Sequence, residues 1–233
     1  DRPREAPKVL LARETDHEFS VDHHGDFFYI MSNKGAKNFR LVKAPVADPS
    51  PANWVEVLPH RPDVTLENME MFRDYLVIQE RKNGLQEFRV MDLASGAFHY
   101  IEFPEPVYSA FFGTNEMFDS KTLRFSYQSF VTPPSVYDYS MDTRGRALMK
   151  QTEVLGGYDP ALYASERILA KAPDGVSVPI SLVYKKGMVR DGRAPLHLYG
   201  YGSYGSTIPV SFSSSRLSLL DRGFIYALGH IRG

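Results

Sequence analysis

The 233-residue chain contains no cysteine, a single tryptophan, no run of eighteen apolar residues and no excess of charge of either sign. Without cysteine, disulfide scaffolds, thiolate zinc sites and a cysteine nucleophile are excluded, while the redox compartment stays open. Lys and Arg total 27 against 28 Asp and Glu, for a net charge of −1. That balance gives no electrostatic footprint for nucleic acid or an anionic membrane, so neither is expected as a partner. The opening DRPREAPKVLLARE lacks the apolar core of a signal peptide, and the chain reads as soluble and cytoplasmic. It starts at Asp1 without Met and stops after the strand-like FIYALGHIRG, which predicts a fragment of a longer protein. With 43% hydrophobic residues there is enough apolar material for a sizeable core.

What is present first is a repeat. Three segments share one layout of strand, polar turn and strand: DFFYIMSNKGAKNFRLVK from Asp26, DYLVIQERKNGLQEFRVMD from Asp74 and KTLRFSYQSFVTPPSVYDYSMD from Lys121. Tyr29, Val77 and Phe125 recur every 48 residues; Phe39, Phe88 and Tyr137, like Leu41, Val90 and Tyr139, recur every 49. Alternation within Ser135-Val-Tyr-Asp-Tyr-Ser140 has the period of two expected of a half-buried strand. Turn signals at Asp92–Gly96 and Asp142–Gly145 then lead into short strands over Ala97–Phe103 and Arg146–Lys150. Four strands per unit at this period is the signature of a β-propeller, of which about three blades are present. An antiparallel sandwich shares the strands but not the repeat.

Beyond about Thr152 the pattern changes. Asp159 stands at an N-cap with Pro160 at the first helical position, predicting a short connector helix. Ile168–Lys171 and Val178–Lys186 flank Pro173-Asp174-Gly175 and read as a hairpin. Pro195–Tyr199 reads as a strand, Ser214–Arg222 as a helix with Leu217 and Leu220 on one face and Gly223 ending it, and Phe224–Leu228 as a buried strand. Strand, glycine loop, helix and strand open an α/β layer.

The glycine loop, LYGYGSYG, holds a G-x-G-x-x-G at Gly200, Gly202 and Gly205. A dinucleotide site needs a helix directly after the glycines and an acid about 20 residues on. Here Ile208 is pushed out of helical space by Pro209, and the next strand ends in Gly229-His-Ile-Arg without an acid. A nucleotide cofactor is therefore not expected. In α/β-hydrolases the loop after the third strand helps to build the oxyanion hole. Glycines give such a loop close access to substrate, and Tyr201 offers a phenolic donor. Spacing alone leaves this reading level with a glycine turn whose tyrosines pack between domains.

The segment LYGYGSYGSTIPVSFSSSRLSLLDRGFIYALGHIRG, with DHEFSVDHHGDFFYIMSNKGAKNF, TEVLGGYDPALYASERI and APDGVSVPISLVYKKG upstream, resembles the prolyl oligopeptidase family of serine peptidases. Gly-Ser-Tyr in the glycine loop and SSSRLSLLDRGF favour its oligopeptidase B branch. The resemblance implies a seven-bladed propeller capping an α/β-hydrolase domain and hydrolysis of short peptides after Lys or Arg. It divides this chain into the later propeller blades (1–152), a connector (153–167) and the start of the hydrolase domain (168–233). It makes Tyr201 the oxyanion donor. The family's nucleophile belongs to a G-x-S-x-G elbow, and no such sequence occurs here; Ser203 follows Gly202 with nothing to mark an elbow. The triad Asp and His and the substrate-selecting acids are likewise expected outside the chain, so the chain alone is expected to be inactive. No cofactor or metal is expected. The rival reading is a non-catalytic partial propeller that binds partners through its exposed sheet edges.

Other polar residues have simpler readings. His23 and His24 are adjacent in a strand and point to opposite faces, which argues against a shared ligand. His197 reads as a satisfied core histidine, and His230 sits near the expected mouth of the site without being the triad histidine. Asp22, Asp26, Asp74 and Asp92 read as turn caps, Glu80-Arg81-Lys82 as a solvated hairpin tip, and Trp54 as blade packing.

Overall fold

The computed structural model describes residue 6 and residues 8–189 and 191–231. Three antiparallel four-stranded sheets follow one another along the chain. The first holds β1 (Phe19–His24), β2 (Phe27–Ser32), β3 (Arg40–Pro45) and β4 (Val55–Leu58). The second holds β5 (Val64–Met71), β6 (Tyr75–Lys82), β7 (Leu85–Asp92) and β8 (Phe98–Tyr100). The third holds β9 (Tyr108–Phe112), β10 (Thr122–Ser129), β11 (Ser135–Ser140) and β12 (Arg146–Gln151). Each sheet is paired in sequence order, which is the layout of consecutive blades in a partial β-propeller.

One repeat column occupies equivalent places and the other two do not: Leu41, Val90 and Tyr139 stand opposite Met31, Val77 and Leu123, a slip of two residues per blade, and Phe39 precedes β3 whereas Phe88 and Tyr137 lie within their strands. Tyr29, Val77 and Phe125 lie on the second strand of each blade and are buried. The faces they share with their neighbours hold the blades together: Leu41 and Met31 of the first blade pack with Leu66, Leu76 and Ile78 of the second. Phe88, Val77 and Val90 of the second pack with Leu123, Phe125 and Tyr139 of the third. Phe88 and Phe125 meet edge to face at 5.7 Å between ring centroids, an arrangement that adds about 0.5–1.5 kcal/mol to the burial itself. Trp54 packs on Ile30, Val42 and Ala44, as expected.

The aspartates divide. Asp92 caps its turn, its Oδ1 accepting from the Ser95 N–H and Oγ, each at 2.7 Å. Asp22 lies within β1 and accepts from the next residue's N–H. At Asp26 and Asp74 it is the backbone that recurs: their carbonyls accept from Val46 and Leu93, and Lys121 does the same for Met141, at 2.9, 3.0 and 2.9 Å. A main-chain bond tolerates any side chain, so among the described bonds the turn-cap reading holds at Asp92 and is corrected at Asp22, Asp26 and Asp74.

The Glu80-Arg81-Lys82 reading needs correction. The β6–β7 tip is Asn83-Gly84, with φ of 51° and 80°, the type I′ turn that matches strand twist. Glu80 lies behind it and is fully buried. Its Oε1 stands 2.6 Å from Arg61 Nη2 and 2.9 Å from Arg89 Nε, and its Oε2 accepts from the Tyr100 hydroxyl at 3.0 Å.

The remaining sheet is mixed. The short connector turn forms over Pro160–Leu162, and Asp159 accepts from the Ala161 N–H. β13 (Tyr163–Lys171) and β14 (Ser177–Lys185) form the hairpin, and β13 starts five residues before the expected Ile168. β15 (Leu196–Gly200) runs parallel to β16 (Ile225–Gly229), which pairs antiparallel with β14. The crossover holds α1 (Ser214–Asp221). Its end is a Schellman motif: Gly223, at φ 85°, donates to Leu220 and Phe224 donates to Leu219. The strand order is β13-β14-β16-β15. This leaves β15 at the sheet edge, with Leu196 and Leu198 exposed.

Candidate functional site

Tyr201 follows directly on the carboxyl end of β15. β15 is held by its parallel pairing with β16, from Leu196 opposite Ile225 to Gly200 opposite Gly229. After Gly200 the chain turns sharply through Ser203–Gly205, where Tyr204 takes a left-handed φ of 61°. Gly202 is buried and Tyr201 is 39% exposed. The Tyr201 hydroxyl makes no hydrogen bond to a described residue. Crevices outside the carboxyl ends of strands are where open α/β sheets bind ligands. Regular helix starts only at Ser214, nine residues past Gly205, as the rejection of a dinucleotide site requires.

The chain then passes between the third blade and the mixed sheet. Val210 is buried with Val107 and Phe130 on one side and Tyr163, Val183, Leu220 and Leu228 on the other, with Ile208 packed against them. Polar contacts come from both sides. Ser109 Oγ donates to the Val210 carbonyl at 2.6 Å, and the Phe212 N–H donates to Gln128 Oε1 at 3.1 Å. Arg216 donates to the Ser211 carbonyl at 2.7 Å while its guanidinium lies 4.1 Å above the Tyr226 ring.

The histidines have other partners. His197 is exposed on β15 and stacked on Tyr226 at 5.5 Å. The core role expected for it is therefore wrong: its strand is at an edge, and no described layer covers that face. His24 Nε2 bonds the Arg73 carbonyl at 2.8 Å, bridging the first two blades, while His23 contacts Phe28.

A serine–histidine pair does exist, and sequence reasoning missed it because its members are 49 positions apart. Ser181 Oγ and His230 Nε2 are 2.7 Å apart. They do not form a nucleophile and base in working order: Ser181 is fully buried within β14, and His230 Nδ1 has no partner among the described residues to orient it. His230 instead packs under the β6–β7 tip. A Cβ on Gly84 would stand 3.3 Å from Arg167 Nη2 and 3.6 Å from the His230 ring, so the glycine serves close approach as well as its turn.

Burial, joined by the nearby charges of Arg167 and Arg81, pushes the His230 imidazole down to about 4. Its ordinary value is 6.5, so between these values only the unfolded chain takes up the proton. Stability is full above pH 6.5 and falls as the pH drops toward 4. The loss amounts to about 1–2 kcal/mol once solvent reaching the ring is allowed for. Urea unfolding at pH 7.5 and 4.5 checks this: wild type loses more stability on acidification than His230→Gln, and an equal loss in both contradicts it.

Comparison with known proteins accords with this layout. A model for the N-terminal β-propeller domain of prolyl oligopeptidase matches residues 1–152. The chain is 42% identical to dipeptidyl aminopeptidase BI of Pseudoxanthomonas mexicana over 97% of its own length and 31% of the relative's. It is 32% identical to protease 2 of Moraxella lacunata over its whole length and 33% of that protein. Oligopeptidase B of Trypanosoma brucei, solved with covalently bound antipain, superposes with a TM-score of 0.86 at 33% identity, covering 96% of this chain and 33% of that one. The chain thus spans about a third of the length of the relatives it matches, and with three propeller blades in the matched region it belongs to the prolyl oligopeptidase family of peptidases.

Proposed function

We propose that this chain is part of a serine oligopeptidase whose whole form hydrolyses short peptides after Lys or Arg in the cytoplasm. In this reading residues 1–152 are propeller blades, 153–167 a connector and 168–233 the beginning of an α/β-hydrolase domain. The observation that carries it is the exposed phenol of Tyr201 at the carboxyl end of a parallel strand. There it donates to the oxygen that becomes negative as an acyl group is attacked. The second donor of such a hole is a backbone N–H beside the nucleophile. The chain's own sequence has no G-x-S-x-G to supply one.

Preference for Lys or Arg rests on the likeness to oligopeptidase B. The higher identity to a dipeptidyl aminopeptidase favours a second reading, in which dipeptides are released from free N-termini. One assay separates them. Full-length protein cleaves an N-blocked Arg-Arg amide in the first reading, only a dipeptide amide with a free amine in the second, and residues 1–233 alone turn over neither. Inert full-length protein would sink both and leave a binding propeller; activity in residues 1–233 would overturn the assignment of the triad to other parts of the protein.

A further inference from the structure

We propose that Ser109 and Gln128, on the third propeller blade, are positioning residues for Tyr201. The inference rests on the reading of Tyr201 as oxyanion donor and adds that the propeller holds the donor in place. Ser109 on β9 and Gln128 on β10 are directly opposite each other in the strand register. Together they present one hydroxyl donor and one amide acceptor, side by side. The segment they meet presents the complement: the Val210 carbonyl and, two residues on, the Phe212 N–H. In extended chain a carbonyl and the N–H two residues later face the same side, which is how a parallel strand receives its neighbour. Pro209 and the restriction it places on Ile208 keep this stretch extended. The two side chains thus do the work of a missing strand partner.

The Ser109 half of the clamp is dry. Ser109 is 1% and Val210 2% exposed, so neither the hydroxyl nor the carbonyl has water as an alternative, and a lost partner there is left unsatisfied. Tyr201 is tied on its N-terminal side to β15, an edge strand with one neighbour. On its C-terminal side the first polar anchor beyond the Ser203–Gly205 turn is this clamp. Freed from the blade, the segment keeps the Arg216 bond to Ser211 and the apolar packing of Ile208 and Val210 but loses the two bonds that fix Val210 and Phe212 to the propeller. A donor displaced by about 1 Å can lose on the order of 10²-fold in rate, so a partial loosening costs a measurable part of that.

The test is a double-mutant cycle in the full-length protein with a fluorogenic Arg-Arg amide. Gln128→Leu keeps most of the side-chain volume at a part-buried position and is expected to lower kcat roughly 5- to 20-fold with KM nearly unchanged. Gln128→Glu keeps an acceptor and is expected to stay within about 2-fold of wild type. Ser109→Ala repeats the Leu result from the other half of the clamp. In a Tyr201→Phe background Gln128→Leu is expected to change kcat by less than about 2-fold, since there is no donor left to misplace. The same factor in both backgrounds marks a general packing defect and overturns the proposal, as does an unchanged kcat in Gln128→Leu. If Tyr201→Phe alone has no effect, the oxyanion reading itself has failed, and that arm shows it separately.

Discussion

Tyr201→Phe in the full-length protein is expected to lower kcat by roughly 10²- to 10³-fold, the range for loss of one oxyanion donor, or about 2.7–4 kcal/mol of transition-state stabilisation. The change removes one oxygen and leaves the ring. The hydroxyl has no described protein partner to leave unsatisfied, so folding should be unaffected. A donor that meets charge only as it develops contributes little to ground-state binding, which places the loss in kcat and leaves KM within about 3-fold. Steady-state kinetics on a peptide amide, with thermal unfolding as a check on folding, measure both quantities. An unchanged kcat would reduce Tyr201 to a packing residue. A rise in KM at constant kcat would make it a binding contact of the ground state.

Glu80→Ala should destabilise the second blade by about 3–5 kcal/mol. The carboxylate is the counter-charge for both Arg61 and Arg89 and accepts from Tyr100, all within 3.0 Å. Arg89 is itself buried, with its guanidinium 4.1 Å above the Phe98 ring. Removing the acid leaves two cations without their directly paired carboxylate, which is far costlier than losing an exposed pair. Glu67, paired with Arg81 and in part reached by solvent, is the control: Glu67→Ala should cost no more than about 1 kcal/mol. Because a protein of several domains seldom unfolds in one step, amide exchange along β6 and β7 is the measurement of choice. Equal protection in the two variants would contradict the role given to Glu80.

The sequence was most legible where structure repeats locally. Tyr29, Val77 and Phe125 mark the second strand of each blade because a propeller buries the same column in every unit. Gly223 and Asp159 mark element ends because capping is decided by near neighbours. Legibility failed where partners are distant. Nothing around Glu80 announces that Arg61 and Arg89 will surround it, and a run of three charged residues is otherwise a fair sign of solvent. His197 looks like a core residue because its neighbours are apolar, yet the β13-β14-β16-β15 order puts its strand at an edge. The candidate site shows the same split. The glycines and Tyr201 are visible in LYGYGSYG, whereas Ser109, 101 positions from Val210, is found only once the blade and the loop meet.

The most direct test is a structure of the full-length protein with a peptide aldehyde bound covalently at the nucleophile. The expected result is a hemiacetal oxygen about 2.7–3.1 Å from Tyr201 Oη, the spacing of an oxyanion donor, with Ser109 and Gln128 still bonded to Val210 and Phe212. An adduct oxygen beyond about 3.5 Å from Oη, outside hydrogen-bond reach, or bonded to other donors, would contradict the assignment of Tyr201.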